Sequence, residues 1–277
     1  MCSMPCTGNK SEICGSSHFA SVFSTKKSFD DCLKRNFGKN LPKRFLFSYP
    51  SSGNTWLRHL LELASGVYTG SIYYDEVLYE KEFKGEILSW ETHKTLFTKS
   101  HNTYPHHLRS TNEWIVLVRN PFDAILGTFN LRMTLERTHK ARLQMTETNS
   151  HLGFAREVDF KNRWNRFFLN NIHRWNITNF KWIFMFEGKK SIVYYEDLKI
   201  NPIGQLRMIF ADIGYPIHEE RLLCVSVNQK GHFQRSHKVT EESRYTIDKI
   251  QAVNECVSSV RKALLDARLK PMPLYVN

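Results

Sequence analysis

One stretch of the sequence combines residue types and a position suited to holding an anionic group. Ser51-Ser52-Gly53-Asn54-Thr55 follows the apolar run Phe45-Leu46-Phe47-Ser48-Tyr49 and Pro50. It precedes Trp56-Leu57-Arg58-His59-Leu60-Leu61-Glu62-Leu63, in which apolar residues recur at helical spacing. A Ser/Gly loop between a buried strand and a helix directs successive backbone amides toward the positive end of the helix dipole, where proteins hold phosphate. No lysine follows the glycine and the pattern GxxxxGK[ST] is absent, which argues against an ordinary ATPase or GTPase. On the loop alone, a tight structural turn is the competing reading.

Charge agrees with an anionic partner. The chain has 277 residues with 39 Lys plus Arg against 27 Asp plus Glu, a formal charge of +12. This suits nucleic acid, an acidic membrane surface, or small ligands bearing phosphate, sulfate or carboxylate. Compact Lys/Arg blocks and zinc-finger spacings are missing, and the aromatic residues follow core-like runs, so nucleic-acid binding is not the expectation. A hydrophobic fraction of 41% with 24% charged residues specifies a folded domain rather than a disordered chain. No stretch approaches the roughly 18 consecutive apolar residues of a membrane span, and the first 30 residues lack a basic region followed by an apolar one. As given, the sequence is expected to carry neither anchor nor secretory signal.

The elements that must position the loop repeat one grammar. Trp114-Ile115-Val116-Leu117-Val118 is a second buried strand, followed by Arg119-Asn120-Pro121 and a helix from Phe122 to about Arg137. Ser191-Ile192-Val193-Tyr194-Tyr195 is a third strand, leading through Glu196-Asp197 and Pro202 into a helix over 203–213 closed by Gly214 and Pro216. Buried strands alternating with helices predict an α/β domain with a parallel sheet covered on both faces. Between the second and third strands, Phe160, Trp164, Phe167, Phe168, Trp175, Phe180, Trp182 and Phe184 recur at helical spacings, which predicts a helix packing aromatics into the core.

The wording of these segments resembles a family. Tyr49-Pro50-Ser51-Ser52-Gly53-Asn54-Thr55-Trp56 is similar to the 5′-phosphosulfate loop of sulfotransferases, usually written YPKSGTTW, and Val118-Arg119-Asn120-Pro121-Phe122-Asp123 to their RNPxD segment. Lys99-Ser100-His101 resembles their KTH tripeptide and Tyr195-Glu196-Asp197-Leu198 their YEDL segment. The resemblance spans about Phe45 to His237 and implies a three-layer P-loop-like fold that uses 3′-phosphoadenosine 5′-phosphosulfate as donor, without a metal. It implies that His101 is the general base, with Lys99 placing a cation near the transferring group. The amides of Ser52 to Thr55, with the Ser52 and Thr55 hydroxyls, would cradle the 5′-phosphate. Trp56 would flank the adenine, Arg119 would take the 3′-phosphate bidentately, and Tyr195 would either contact the adenine or only pack.

Two positions depart from that pattern. Ser51 stands where most cytosolic members have the loop lysine, leaving Arg58 and Lys99 as candidates for the cation. Gly127 stands where the family often has a 3′-phosphate serine, leaving Thr128 as a substitute. The late RKG segment is met only approximately by Gln229-Lys230-Gly231, with Arg235 soon after, so Lys230 and Arg235 are expected as further donor contacts or as a solvated basic loop.

Of six cysteines, Cys2, Cys6 and Cys14 lie in the first 14 residues, a density that suits a disulfide-stapled module. The wording from Cys2 to Phe23 resembles the closing third of a WSC domain. Residues 1–25 are therefore read as a WSC fragment, 26–41 as a linker and 42–277 as the sulfotransferase domain. Among the other cysteines, Cys224 with Cys256 is the favoured pair, against the reading that each is a small buried hydrophobe. The joint resemblance to WSC domain-containing sulfotransferases implies a Golgi location, a membrane held only through an anchor absent from this chain, and an anionic glycan acceptor such as sialic acid. The alternative is a non-catalytic glycan- or nucleotide-binding protein of the same fold.

Overall fold

The computed structural model describes residues 33–102, 113–143, 155–185, 187–231, 244–273 and 275. The expected WSC fragment, the first part of the linker and Arg235 lie outside these residues. Five strands form one parallel sheet: β1 (Arg44–Ser48), β2 (Gly70–Ser71), β3 (Thr98–Ser100), β4 (Glu113–Val118) and β5 (Lys189–Tyr194), in the order β2-β3-β1-β4-β5. The chain builds β2 and β3 on one side of β1 and then crosses to build β4 and β5 on the other. The carboxyl end of β1 is thus the switch point, where open α/β sheets bind ligands.

The helices are α1 (Asn54–Ser65), α2 (Glu76–Lys81), α3 (Pro121–Leu143), α4 (Glu157–Phe180), α5 (Tyr195–Ile200), α6 (Pro202–Asp212), α7 (Glu219–Asn228) and α8 (Ile247–Asp266). Successive strand residues point to opposite faces, and the core divides accordingly. Phe45, Phe47, Trp114, Val116 and Val118 join residues of α3, α4 and α8 in one cluster. Leu46, Ile115 and Leu117 join residues of α1, α6 and α7 in the other. This is the expected three-layer α/β architecture. The aromatic segment is α4, continued by a π-helical turn at Lys181–Met185. Phe160, Trp164, Phe167, Phe168, Trp175 and Trp182 are buried, whereas Phe180 faces outward.

Two expectations are corrected. Tyr195 is not the last residue of a strand: β5 ends at Tyr194, and Tyr195 opens α5. Cys224 is disulfide-bonded while Cys256 is a free, half-buried thiol whose pKa burial raises. The pairing of these two is therefore not made, and the sheet explains why: α7 carries Cys224 on one face and α8 packs Cys256 against the cluster on the other. Residues 36–41, placed in the linker by sequence, run along the domain through Asn36 N to Gly66 O, Gly38 N to Lys94 O and Leu41 N to His93 O, at 2.8, 2.8 and 2.9 Å. Among the described residues, no helix is long and apolar enough to cross a membrane.

Candidate active site

The carboxyl ends of β1, β3, β4 and β5 lie at one edge of the sheet, because the strands are parallel. The loop after β1 turns inward through Ser51 and Gly53, both at positive φ (58° and 93°). Gly53 is the N-cap of α1 and no side chain caps that helix, so its first amides have no acceptor within the helix. Among the described residues, the Ser51 and Ser52 hydroxyl oxygens are buried without a partner. Buried polar groups are ordinarily hydrogen-bonded, and orphans of this kind around a helix N-terminus are what an anion-binding loop presents. Thr55 stands partly exposed in the first turn of the helix. The Asn54 side chain instead turns back to the strand, donating to Ser48 Oγ at 3.1 Å and to Leu46 O at 3.4 Å.

Arg119 arrives from the end of β4. Its Nη1 donates to the Ser51 carbonyl at 2.9 Å, its Nη2 pairs with Asp123 at 3.2 Å, and its Nε is buried without a partner among the described residues. Neighbouring backbone is clamped: Trp175 Nε1 donates to Arg119 O at 3.1 Å, and Asn120 N donates to the Glu196 carboxylate at 2.9 Å. The guanidinium lies 4.4 Å over the Tyr195 ring. Tyr195 in turn meets Trp56 edge to face, with centroids 5.7 Å apart. Trp56 Nε1 donates to Gln229 O at 2.6 Å, which brings exposed Lys230 beside this aromatic pair. Thr128 lies beneath the loop, donating to Pro50 O at 3.1 Å and Ala124 O at 2.7 Å. Its one hydroxyl proton is shared between these two carbonyls, with the shorter contact to its own helix, and a phosphate contact would require that proton to leave them.

Gly53 joins these parts. A Cβ at Gly53 would stand 2.5 Å from Tyr195 Cδ2, and the backbone there is left-handed. Gly53→Ala is therefore expected to displace the Tyr195 ring and the guanidinium it carries. The expected result is a stability loss of about 1–3 kcal/mol from strain and weaker binding of adenosine 3′,5′-bisphosphate. Denaturant unfolding and calorimetry on the same variant check both effects.

His101 follows β3, whose pairing with β1 places Phe47 opposite Ser100 and so brings Ser48 to His101. His101 Nδ1 lies 2.8 Å from the Ser48 carbonyl and 3.2 Å from its hydroxyl. A carbonyl only accepts, so Nδ1 carries the proton and Nε2 keeps a lone pair for a substrate hydroxyl. Burial, then the Lys99 charge, with smaller effects from Arg174 and Arg58, push His101 down to about 3. Lys99 itself falls to about 8, chiefly through burial and then through Arg58. The imidazole is therefore neutral across the physiological range, and anionic ligands among these cations would raise its basicity.

Arg58, one candidate for the cation absent at Ser51, is fully buried, paired with buried Glu86 and donating to Thr69 Oγ1 at 2.8 Å. That partnership commits it to the domain interior. Residues that the sequence did not single out also shape the site. Tyr73 accepts from His101 N at 2.7 Å and stacks on its ring, with centroids 5.6 Å apart. Ser48 and Glu196 orient the two motif residues described above. Tyr73 has no signature of its own, lying between motifs. Among the described residues, no group of three or more His, Cys, Asp or Glu could hold a metal ion.

A five-stranded parallel sheet covered by helices on both faces is the sulfotransferase fold. The structure of mouse sulfotransferase SULT7A1 complexed with PAP has this architecture, with a TM-score of 0.54 at 15% identity, covering 89% of this chain and 95% of that one. By sequence, the chain is 31% identical over 223 residues to a WSCD family member of Aedes aegypti, covering 79% of this chain and 65% of that relative. It is also 31% identical over 205 residues to a WSCD family member of Drosophila melanogaster, covering 73% of this chain and 59% of the relative. The chain thus spans less than two thirds of the length of these relatives. No family model matches it.

Proposed function

We propose that the chain is the sulfotransferase domain of a WSCD-type protein. It moves a sulfuryl group from 3′-phosphoadenosine 5′-phosphosulfate to a glycan hydroxyl, with sialic acid as the acceptor class and the Golgi lumen as the setting implied by the family resemblance. One observation carries this reading. The orphaned Ser51 and Ser52 hydroxyls, the uncapped start of α1 and the unpartnered Arg119 Nε converge where a neutral, oriented histidine faces the same edge.

These residues fit the donor. Amides of the first turn of α1 and the Ser52 and Thr55 hydroxyls would hold its 5′-phosphate, Arg119 its 3′-phosphate, and Trp56 and Tyr195 its adenine, with Lys230 at their edge. When bound, the donor supplies an activated sulfuryl group. Transfer to a hydroxyl resembles phosphoryl transfer, in which the protein contributes mainly positioning and charge stabilisation. His101 Nε2 takes the acceptor proton, and Lys99 stands nearby as a cation.

The test is a calorimetric titration with adenosine 3′,5′-bisphosphate beside 5′-AMP and ATP with magnesium. A preference of tenfold or more for the bisphosphate is expected, about 1.4 kcal/mol, and it should disappear in Arg119→Ala. A well-folded chain that binds none of the three would overturn the reading.

A further inference from the structure

Arg174 lies on α4 among the residues that fasten this helix to the site. Asn171 accepts from the Tyr49 hydroxyl at 2.8 Å, and Trp175 donates to the Arg119 carbonyl at 3.1 Å. Residues 171 and 175 share a helix face, and position 174 stands at its edge. Both neighbours are buried, whereas Arg174 is exposed. Among the described residues it makes no hydrogen bond or ion pair. Its charge bears on Tyr49, Tyr73 and His101, which belong to the β1, β2 and β3 side of the site. Asn171 ties this face of α4 to Tyr49, which directly follows the Ser48 that holds His101, so the cation stands one helical turn from the base's side of the site.

The surroundings favour a solvent-borne anion. Arg58 is locked to Glu86 and Lys99 is half-buried, so Arg174 is the cation of this group that faces water. Tyr73 stacks on His101 and has Lys99 Nζ 5.6 Å from its ring centroid, yet leaves 45% of its surface exposed next to the base. An exposed ring, a neutral base and an outward arginine together suit a sugar with an apolar face, a hydroxyl and an acidic group. A guanidinium matches a carboxylate with two parallel hydrogen bonds.

Resting on the sulfuryl-transfer reading above, we propose that Arg174 recognises the carboxylate of an acidic sugar acceptor and presents its hydroxyl to His101. The residue determines specificity and has no part in donor binding.

The test compares the methyl α-glycoside of N-acetylneuraminic acid with its neutral methyl ester, as ligands of the chain saturated with adenosine 3′,5′-bisphosphate. Binding is followed by NMR titration, and sulfate transfer is measured in parallel with the sulfated donor. Wild type should bind the acid about tenfold more tightly than the ester. Arg174→Ala should remove that preference while leaving bisphosphate affinity and melting temperature unchanged, and Arg174→Lys should restore part of it. No preference in wild type, or a preference that survives in Arg174→Ala, overturns the proposal, as does an equal loss of transfer to both sugars, which would assign Arg174 to the sulfuryl group. Failure of the transfer reading is separate: the chain would then bind no bisphosphate, or would bind the acid selectively without transferring to it.

Discussion

Replacing His101 with Asn is expected to lower the rate of sulfate transfer by about 10²–10⁴, the usual contribution of a positioned general base, while bisphosphate affinity stays within about twofold. The separation follows from the geometry. Nδ1 is held by the Ser48 carbonyl at 2.8 Å, so the catalytic face of the ring is Nε2, and the ring reaches the donor loop through Ser48, whose hydroxyl takes the Asn54 amide. Single-turnover transfer and calorimetry on the same protein check the pair of results. Equal loss of binding and transfer would show that His101 supports the loop instead.

The same histidine should leave a trace in stability against pH. Its folded pKa of about 3 lies below the unfolded value of about 6.5. Between these values the unfolded chain binds a proton that the folded chain refuses, so stability falls as pH drops from about 6.5 toward 3. His101→Asn should flatten that part of the curve, measured by denaturant unfolding at pH 7 and pH 5. Saturating bisphosphate should also raise the His101 pKa, because its anions offset the field of Lys99, the largest charge acting on the ring.

Arg58→Met is expected to cost about 3–5 kcal/mol of stability, because it leaves Glu86 as a charge buried without its partner. Both side chains are fully buried, and Arg58 also donates to Thr69 Oγ1 at 2.8 Å and lies 4.4 Å over the Phe83 ring. Arg58→Met with Glu86→Leu should recover most of the loss, since apolar residues of similar volume replace such pairs at little cost. Denaturant midpoints measure both variants. A single variant of wild-type stability that lost only transfer would return Arg58 to the role of the cation missing at Ser51.

Much of this architecture is legible in local patterns. The runs Phe45 to Tyr49 and Trp114 to Val118 announce buried strands because every residue is apolar or small, and the sheet does bury both faces of each. The turn chemistry of Ser51 to Asn54 before a helical repeat locates the loop, and Arg119 is found because it follows a strand directly. In each case the informative residues are neighbours along the chain, so their spacing already contains the geometry. The end of the third strand is less legible: Tyr194 and Tyr195 are alike in type, and what divides them is that pairing with β4 ends at Tyr194, opposite Val118.

Other properties depend on residues far apart in sequence. Ser48 orients His101 across 53 positions because β1 and β3 pair in one register. Arg58 has the same composition signal as a catalytic cation, and only its contact with Glu86 across 28 positions makes it structural. Cys224 and Cys256 are equivalent in the sequence, but the sheet puts their helices on opposite faces, and Cys224 is disulfide-bonded while Cys256 is a free thiol. Tyr73 and Arg174 belong to no motif and come to the base through a loop and a helix docked from elsewhere. Chain order thus prescribes the strands, helices and loop, because these follow from short-range periodicity and turn sterics. Tautomer, pKa and charge partnership arise only on folding, because they are set by burial and by fields acting across packed elements.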